Sequence, residues 1–248
     1  MKKLILLLLI LPVVDILAAG ASQQLESAQT NIRSKESLQN GAKYYMNYCS
    51  GCHSLQYQRY SRMAQDLELS KDEVLENLVF TGAKFTDHMT KTMDDEQVKT
   101  KEWFYTAVPI DLTVIAKARG NDWLYSYLKG FYQDPTRPMG WNNTILKDAS
   151  MPNVLWQLQG IQQAEFDKRE DKHGMVMKEF KGFTRLTEGT MSAEEFDTTV
   201  RDIVNFLDYT AEPAQLIRMA YAPWVMLFLV FFTFLAYMLK KNYFKDIH

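Results

Sequence analysis

Cysteine is nearly missing from this 248-residue chain. There are two, Cys49 and Cys52, and only four histidines. A four-ligand zinc site therefore lacks clustered ligands. Glycine (11) and proline (7) are sparse, and no low-complexity tract or internal repeat is visible. Neither charge sign is in excess, with 28 basic against 30 acidic residues. A nucleic-acid binder of the usual basic kind is disfavoured on that ground.

Long apolar runs are also few, and they stand at the two ends. At the start, Lys2 and Lys3 precede an apolar stretch over 4–17 that is broken by Pro12 and Asp15. The small residues Ala18, Ala19, Gly20 and Ala21 follow. Basic head, apolar core and small-residue exit describe a secretory signal peptide over 1–21. The run is short for a spanning helix, and an uncleaved anchor is the alternative. The second run, 219–239, carries no charge and is long enough to cross a bilayer as one helix. Tyr221, Trp224 and Tyr237 flank its ends, where amphipathic rings favour the interface. Lys240, Lys241 and Lys245 follow, which predicts a cytoplasmic tail over 240–248. A buried core helix is the alternative, and the total lack of polar periodicity argues against it.

The expected arrangement is an exported domain over 22–218, tethered by one C-terminal helix. Without the two ends the chain keeps about 23 basic and about 28 acidic residues, near −5. A mildly acidic face suits a basic protein partner, and ordinary solvation explains it equally well.

The two cysteines are two residues apart, and His53 follows at once in Cys49-Ser50-Gly51-Cys52-His53. A thioredoxin-type pair uses C-x-x-C after a strand, at the opening of a helix. A local disulfide would close a very small loop and stabilise little. C-x-x-C-H is the attachment signature of a c-type haem: each thiol takes one vinyl group, and the histidine takes the iron. Leu38, Ala42, Tyr45 and Cys49 recur at helical spacing, so a helix should end at the motif. Nothing upstream alternates as a strand, which favours haem over a thiol oxidoreductase.

Electron-carrying haems commonly take methionine opposite histidine. Thirteen methionines leave the choice open. Met139 and Met151 each sit in an irregular stretch, and Pro152 holds Met151 extended. His88 and His173 are alternatives as a second imidazole.

Elsewhere the pattern is helical. Ser70-x-x-Glu73 and Ser192-x-x-Glu195 read as capping boxes. After the second, Phe196, Val200, Ile203, Val204 and Leu207 share a face. A helix is expected over 112–118, Asn121 is a candidate cap for another, and Pro213 breaks the chain before the anchor. The stretch 175–185 reads as a short hairpin turning at Lys181-Gly182. Asp94-Asp95-Glu96 reads as a solvated loop. The fold class expected is mainly α, a cytochrome c-like haem domain with a single C-terminal transmembrane helix.

From 38 to the C-terminus the chain resembles the cytochrome c1 family, the haem subunits of ubiquinol–cytochrome c reductase complexes, and its proteobacterial members most. The resemblance is carried by GAKYYMNYCSGCHSLQY, VPIDLTVIAKARGNDWLYSYLKGFYQDPTRP, GWNN, MPNVLWQLQG and VRDIVNFLDYTAEPAQ, in that order before the terminal span. It implies one covalent haem c on Cys49 and Cys52, with His53 and Met151 as iron ligands. Arg119 falls where the family has an arginine near a haem propionate, and Trp123 where it has an aromatic against the haem. A solvated cap charge and plain core are their blander readings. The family often has two prolines before the Asp-Leu of the second segment; here Pro109 stands alone before Ile110-Asp111-Leu112.

The implied role is an electron-transfer subunit rather than a complete enzyme. Electrons would pass from the Rieske iron–sulfur protein to a soluble cytochrome c, beside cytochrome b. The site would be the inner membrane, crossed once, with the haem domain periplasmic. Membrane lipid is an expected partner and nucleic acid is not. A free-standing membrane-tethered cytochrome c is the alternative.

Overall fold

The computed structural model describes residues 25–94, 108–170 and 176–245. The expected leader, His173, Met175, Asp95 and Glu96 lie outside them.

The first helix, α1 (Lys35–Tyr48), starts where the Ser34 hydroxyl accepts the Ser37 N–H. It buries Leu38, Ala42 and Tyr45 completely, as the spacing predicts. That face crosses α7 (Ala193–Ala211), which buries Phe196, Val200, Ile203, Val204 and Leu207. Each large apolar side chain so buried stabilises the fold by roughly 1.5–3 kcal/mol. Backbones approach closely at the crossing. A Cβ on Gly41 would lie 2.1 Å from the Asp202 carbonyl oxygen, so only glycine fits there. Polar groups seal the edge: Ser37 Oγ donates to Asp202 Oδ1 at 2.5 Å, and Asn205 Nδ2 donates to Ser37 Oγ at 2.9 Å.

After α1 come β1 (Leu55–Arg59), α2 (Tyr60–Leu67), α3 (Lys71–Asn77) and β2 (His88–Met89), with β2 antiparallel to β1. The capping box of Ser70 and Glu73 is formed, and so is that of Ser192 and Glu195. Next are α4 (Ile115–Arg119) and α5 (Asn121–Lys129). Then β3 (Phe131–Gln133) and β4 (Trp141–Asn143) pair antiparallel, and α6 (Trp156–Gln159) follows. The helix expected over 112–118 is thus shorter and later, and it includes Arg119. Asn121 does not cap α5. Gly120 holds that position at φ +90°, and Asn121 Nδ2 donates instead to Thr30 Oγ1 and Asp208 Oδ2.

A long hairpin, β5 (Gly160–Glu170) with β6 (Val176–Glu188), is present, but its turn is not at Lys181-Gly182. Gly182 pairs with Glu165 in mid-strand, and the register slips at the next pair, Phe166 with Phe180. Lys181 is the extra residue of a bulge, where glycine also suits the bent backbone.

The last helix, α8 (Ala214–Tyr243), follows Pro213, buries no residue and has mean hydropathy 2.1 over its most apolar stretch. Its first turns still touch the domain through Leu216 and Met219. Among the described residues helices dominate and the three sheets are two-stranded and antiparallel, so the mainly-α expectation holds.

A strap of irregular chain braces α5. Glu26 N–H donates to Ser126 Oγ, Ala28 N–H to Asp122 Oδ1, and Lys129 Nζ reaches Glu26 at 2.5 Å. These residues share one side of α5. Trp123 and Tyr127 occupy another.

Candidate cofactor site

The two cysteines and His53 form one tight turn at the C-terminus of α1. The N–H groups of Cys49 and Ser50 donate to the Tyr45 carbonyl at 2.8 and 3.0 Å. Those of Cys52 and His53 donate to the Cys49 carbonyl at 3.1 and 2.9 Å. Both thiols are unpaired. Cys49 is 8% exposed, while Cys52 is half-buried.

Their electrostatics oppose thiolate chemistry. Burial, then the neighbouring Cys52, pushes the Cys49 thiol up to about 12. Burial also raises Cys52, with Lys91 pulling the other way. A helix C-terminus carries negative partial charge and disfavours an anion. Redox-active C-x-x-C pairs have depressed thiol pKa values, commonly at a helix N-terminus. The thiol oxidoreductase reading loses its physical basis here. Addition of neutral thiols to an alkene keeps it.

His53 Nδ1 lies 2.7 Å from the Ile110 carbonyl oxygen. A carbonyl only accepts, so Nδ1 carries the proton and Nε2 keeps its lone pair. Burial lowers the His53 pKa, against the opposing pull of the Ile110 bond, and favours the neutral imidazole. This is the form a metal ligand takes, with its second nitrogen fixed by a carbonyl. The carbonyl is itself pinned. Leu112 N–H donates to Ser54 O at 2.9 Å, and Gln56 N–H donates to Asp111 Oδ2 at 2.8 Å. Asp111 Oδ1 also accepts the Thr113 N–H at 2.9 Å.

That segment leads into α4, which ends at Arg119. Gly120, at φ +90°, turns the chain into α5 in a conformation that side-chain-bearing residues rarely adopt. Arg119 then lies over the Trp123 ring, 5.1 Å from its centroid. Trp123 stacks on Tyr127 at 4.9 Å and 9°, and Tyr127 meets Phe131 edge-on at 5.0 Å. Arg119 is exposed and forms no ion pair among the described residues. A guanidinium on an aromatic wall, with no carboxylate partner of its own, suits a planar ligand with anionic groups.

Met151 is half-buried in the bend before Pro152. Asn153 fixes the bend: its Oδ1 accepts from Leu155 N–H at 3.0 Å, and its Nδ2 donates to Gln159 Oε1 at 2.9 Å. Gln159 Nε2 then donates to the Lys129 carbonyl at 3.0 Å, which ties the Met151 segment to the end of α5. Met139 lies in the β3–β4 connection, where Arg137 pairs with Asp148 at 3.0 Å. His88 faces Arg59 across the β1–β2 pair, and its buried Nδ1 has no hydrogen bond.

Cys49, Cys52 and His53 are thus brought together, Arg119 and Trp123 touch, and Met151 is linked to the far end of α5. The sequence reading missed the Ile110 acceptor, the Tyr127 and Phe131 rings, and the Tyr45 hydroxyl, which donates to the His53 carbonyl at 2.7 Å. The aromatic wall had a signal, since positions 123, 127 and 131 recur every four residues. A backbone acceptor 57 residues from His53 had none.

The residues fit a c-type haem: two unpaired neutral thiols, an oriented neutral imidazole, an aromatic wall and a guanidinium with no ion pair among the described residues. A separate open cavity of about 640 Å³ adjoins the turn, between Ser54, Thr90, Thr92 and Pro109. None of the motif residues lines it, so it carries no cofactor assignment.

The model of the Cytochrome C1 family matches residues 28–247. Over its whole length the chain is 48% identical to a cytochrome c1 of Allochromatium vinosum, all of which is covered. It is 39% identical, again over its whole length and 98% of the relative, to a Nitrosomonas europaea protein named ammonia monooxygenase gamma subunit.

Proposed function

Because the chain belongs to the cytochrome c1 family, we propose that it relays single electrons from a Rieske iron–sulfur protein to a soluble cytochrome c. Family membership implies a c-type haem and a place in a respiratory complex with redox partners. The finer reading is one haem c, held by thioethers at Cys49 and Cys52. His53 Nε2 and the Met151 thioether would hold its iron. The observation that carries this reading is the His53–Ile110 bond, which leaves Nε2 free in a turn that also holds two unpaired thiols.

When bound, the haem supplies a one-electron couple, and no substrate bond is made or broken. The chain's own residues set the terms. Each thiol would add its sulfur and hydrogen across one vinyl group, so attachment needs no oxidant. Burial keeps the imidazole neutral, and the Ile110 carbonyl orients it. A Met151 thioether on the iron would favour a high potential. Arg119 would pair with a propionate and offset its charge. Cytochrome b is the expected neighbour in the membrane. The domain over 22–218 would face the periplasm, with 1–21 removed on export and 240–248 left in the cytoplasm.

Two measurements test the reading. The denatured chain, purified from a host that matures c-type cytochromes, should weigh more by one haem and give a haem c pyridine haemochrome spectrum. A mass without the tetrapyrrole overturns the site. Capture through the C-terminal helix should bring down cytochrome b and the Rieske protein. Recovery alone would favour a free-standing tethered cytochrome, and recovery with monooxygenase subunits would follow the name of the Nitrosomonas relative instead.

A further inference from the structure

Tyr45 holds the C-x-x-C-H turn from both of its ends. Its carbonyl oxygen accepts the N–H groups of Cys49 and Ser50 at 2.8 and 3.0 Å. Its hydroxyl reaches past the whole motif and donates to the carbonyl of His53 at 2.7 Å. One residue thus fastens the entrance and the exit of a loop only a few residues long. The ring is completely buried and packs against Phe206 of α7, with centroids 5.7 Å apart. Burial foremost keeps the phenol protonated, well above its ordinary range, so the hydroxyl remains a donor.

The geometry around His53 then has two independent ties. Ile110 fixes the ring through Nδ1, and Tyr45 fixes the backbone of the same residue. The first tie sets rotation and tautomer. The second sets where the ring is attached. Losing the second leaves a part-buried carbonyl without its partner, and the turn can open at its exit while α1 stays folded.

We propose that Tyr45 is a positioning residue, whose hydroxyl clasps the cofactor turn and fixes the depth at which His53 presents Nε2. This rests on the reading of His53 as the proximal ligand. Tyr45 acts through the His53 backbone. The clasp is specific to the hydroxyl, since phenylalanine would fill the same space against Phe206.

The test compares Tyr45→Phe with Tyr209→Phe in the full-length, haem-loaded chain. Tyr209 is also fully buried and loses a similar bond, from its hydroxyl to Asp66 at 2.8 Å. Both variants should unfold at lower temperature than the parent. In Tyr45→Phe alone, the amides of Cys52 and His53 should exchange at least tenfold faster than in the parent, while those of α1 keep their rates. Its ferric-to-ferrous ratio at a fixed potential should also shift at least threefold. A graded replacement with 3,5-difluorotyrosine keeps the shape and strengthens the donor, and should move the ratio the opposite way. It serves if Tyr45→Phe does not fold. Equal exchange and equal ratios in the two phenylalanine variants, or a fluorinated chain that matches the parent, would overturn the proposal. Failure of the haem reading looks different: the parent itself would lack the added mass.

Discussion

Met151 and Met139 are half-buried thioethers in irregular chain, and substitution separates them. Leucine keeps volume and apolarity but cannot donate to iron, so Met151→Leu should lower the midpoint potential and impair electron relay. The shift should be on the order of a tenth of a volt, within the ~0.8 V that axial ligands command. Met139→Leu should leave it unchanged. Potentiometric titration of both decides, and an unmoved Met151→Leu removes that residue from the iron. Arg119 gives a second test at this scale. Its visible contact is the Trp123 ring, worth about 0.5–1 kcal/mol at an exposed position. Arg119→Gln should therefore barely change the melting temperature, yet shift the potential if the guanidinium faces a propionate. What the sequence displays at this scale is whatever is local. Cys49, Cys52 and His53 announce themselves because the three stand within five residues. Ile110 does not, because it acts through a backbone oxygen brought in by tertiary folding. Tyr45 was visible as a buried helix position but not as a donor, because its bond depends on how the turn closes after the helix ends.

The helices repeat that division between local and distant. The boxes at Ser70 and Ser192 are legible because cap and partner are three residues apart, and both form. Asn121 has the right residue type, but Thr30 and Asp208 take its amide and Gly120 takes the cap. Lys181-Gly182 has turn composition, and the structure spends it on a bulge. The boxes also make a pH prediction. Hydrogen bonds from the backbone N–H groups of Ser70 and Ser192, foremost, hold the Glu73 and Glu195 carboxyls below their ordinary range. Groups depressed on folding contribute stability that is complete above the unfolded carboxylate pKa, about 4.3. It is lost as pH falls through the lower folded value. Glutamine can occupy the same box position without titrating. A Glu73→Gln/Glu195→Gln chain should therefore lose less stability than the parent between pH 6 and pH 3, measured by urea unfolding. Parallel pH curves would show that the boxes do not titrate with folding. The α1–α7 crossing supplies the element whose failure is largest. Alanine at Gly41 must push the Asp202 carbonyl away, and overpacking of this kind costs about 1–3 kcal/mol. Gly41→Ala should lower the unfolding free energy by that amount, measured by urea unfolding, whereas Gly182→Ala, with open space around it, should not.

At the scale of the whole molecule, two solvents meet at the junction of α7 and α8. Glu212 ends α7 and takes two cations there. Lys117 of α4 approaches it at 3.4 Å, and Arg218 of α8 bonds its other oxygen. Leu216 and Met219 pack on the domain, whereas the helix beyond buries nothing. The domain's own contacts thus run to Met219, the first residue of the apolar run. Pro223, which cannot donate to the carbonyl one turn back, stands just past this contact. A chain ended at Ala222 should therefore keep its core, its aromatic wall and its cofactor turn. It should remain in solution without detergent, with the melting temperature and haem spectrum of the full protein. One ended at Glu212 loses Leu216, Met219 and the Arg218 pair, and should melt several degrees lower. Electron delivery from a membrane-bound quinol oxidase should fail in both, because the tether is gone while the haem remains. Equal melting of the two truncations would show that the first turns of α8 contribute nothing to the domain. Undiminished electron delivery from either would remove the reason for the anchor.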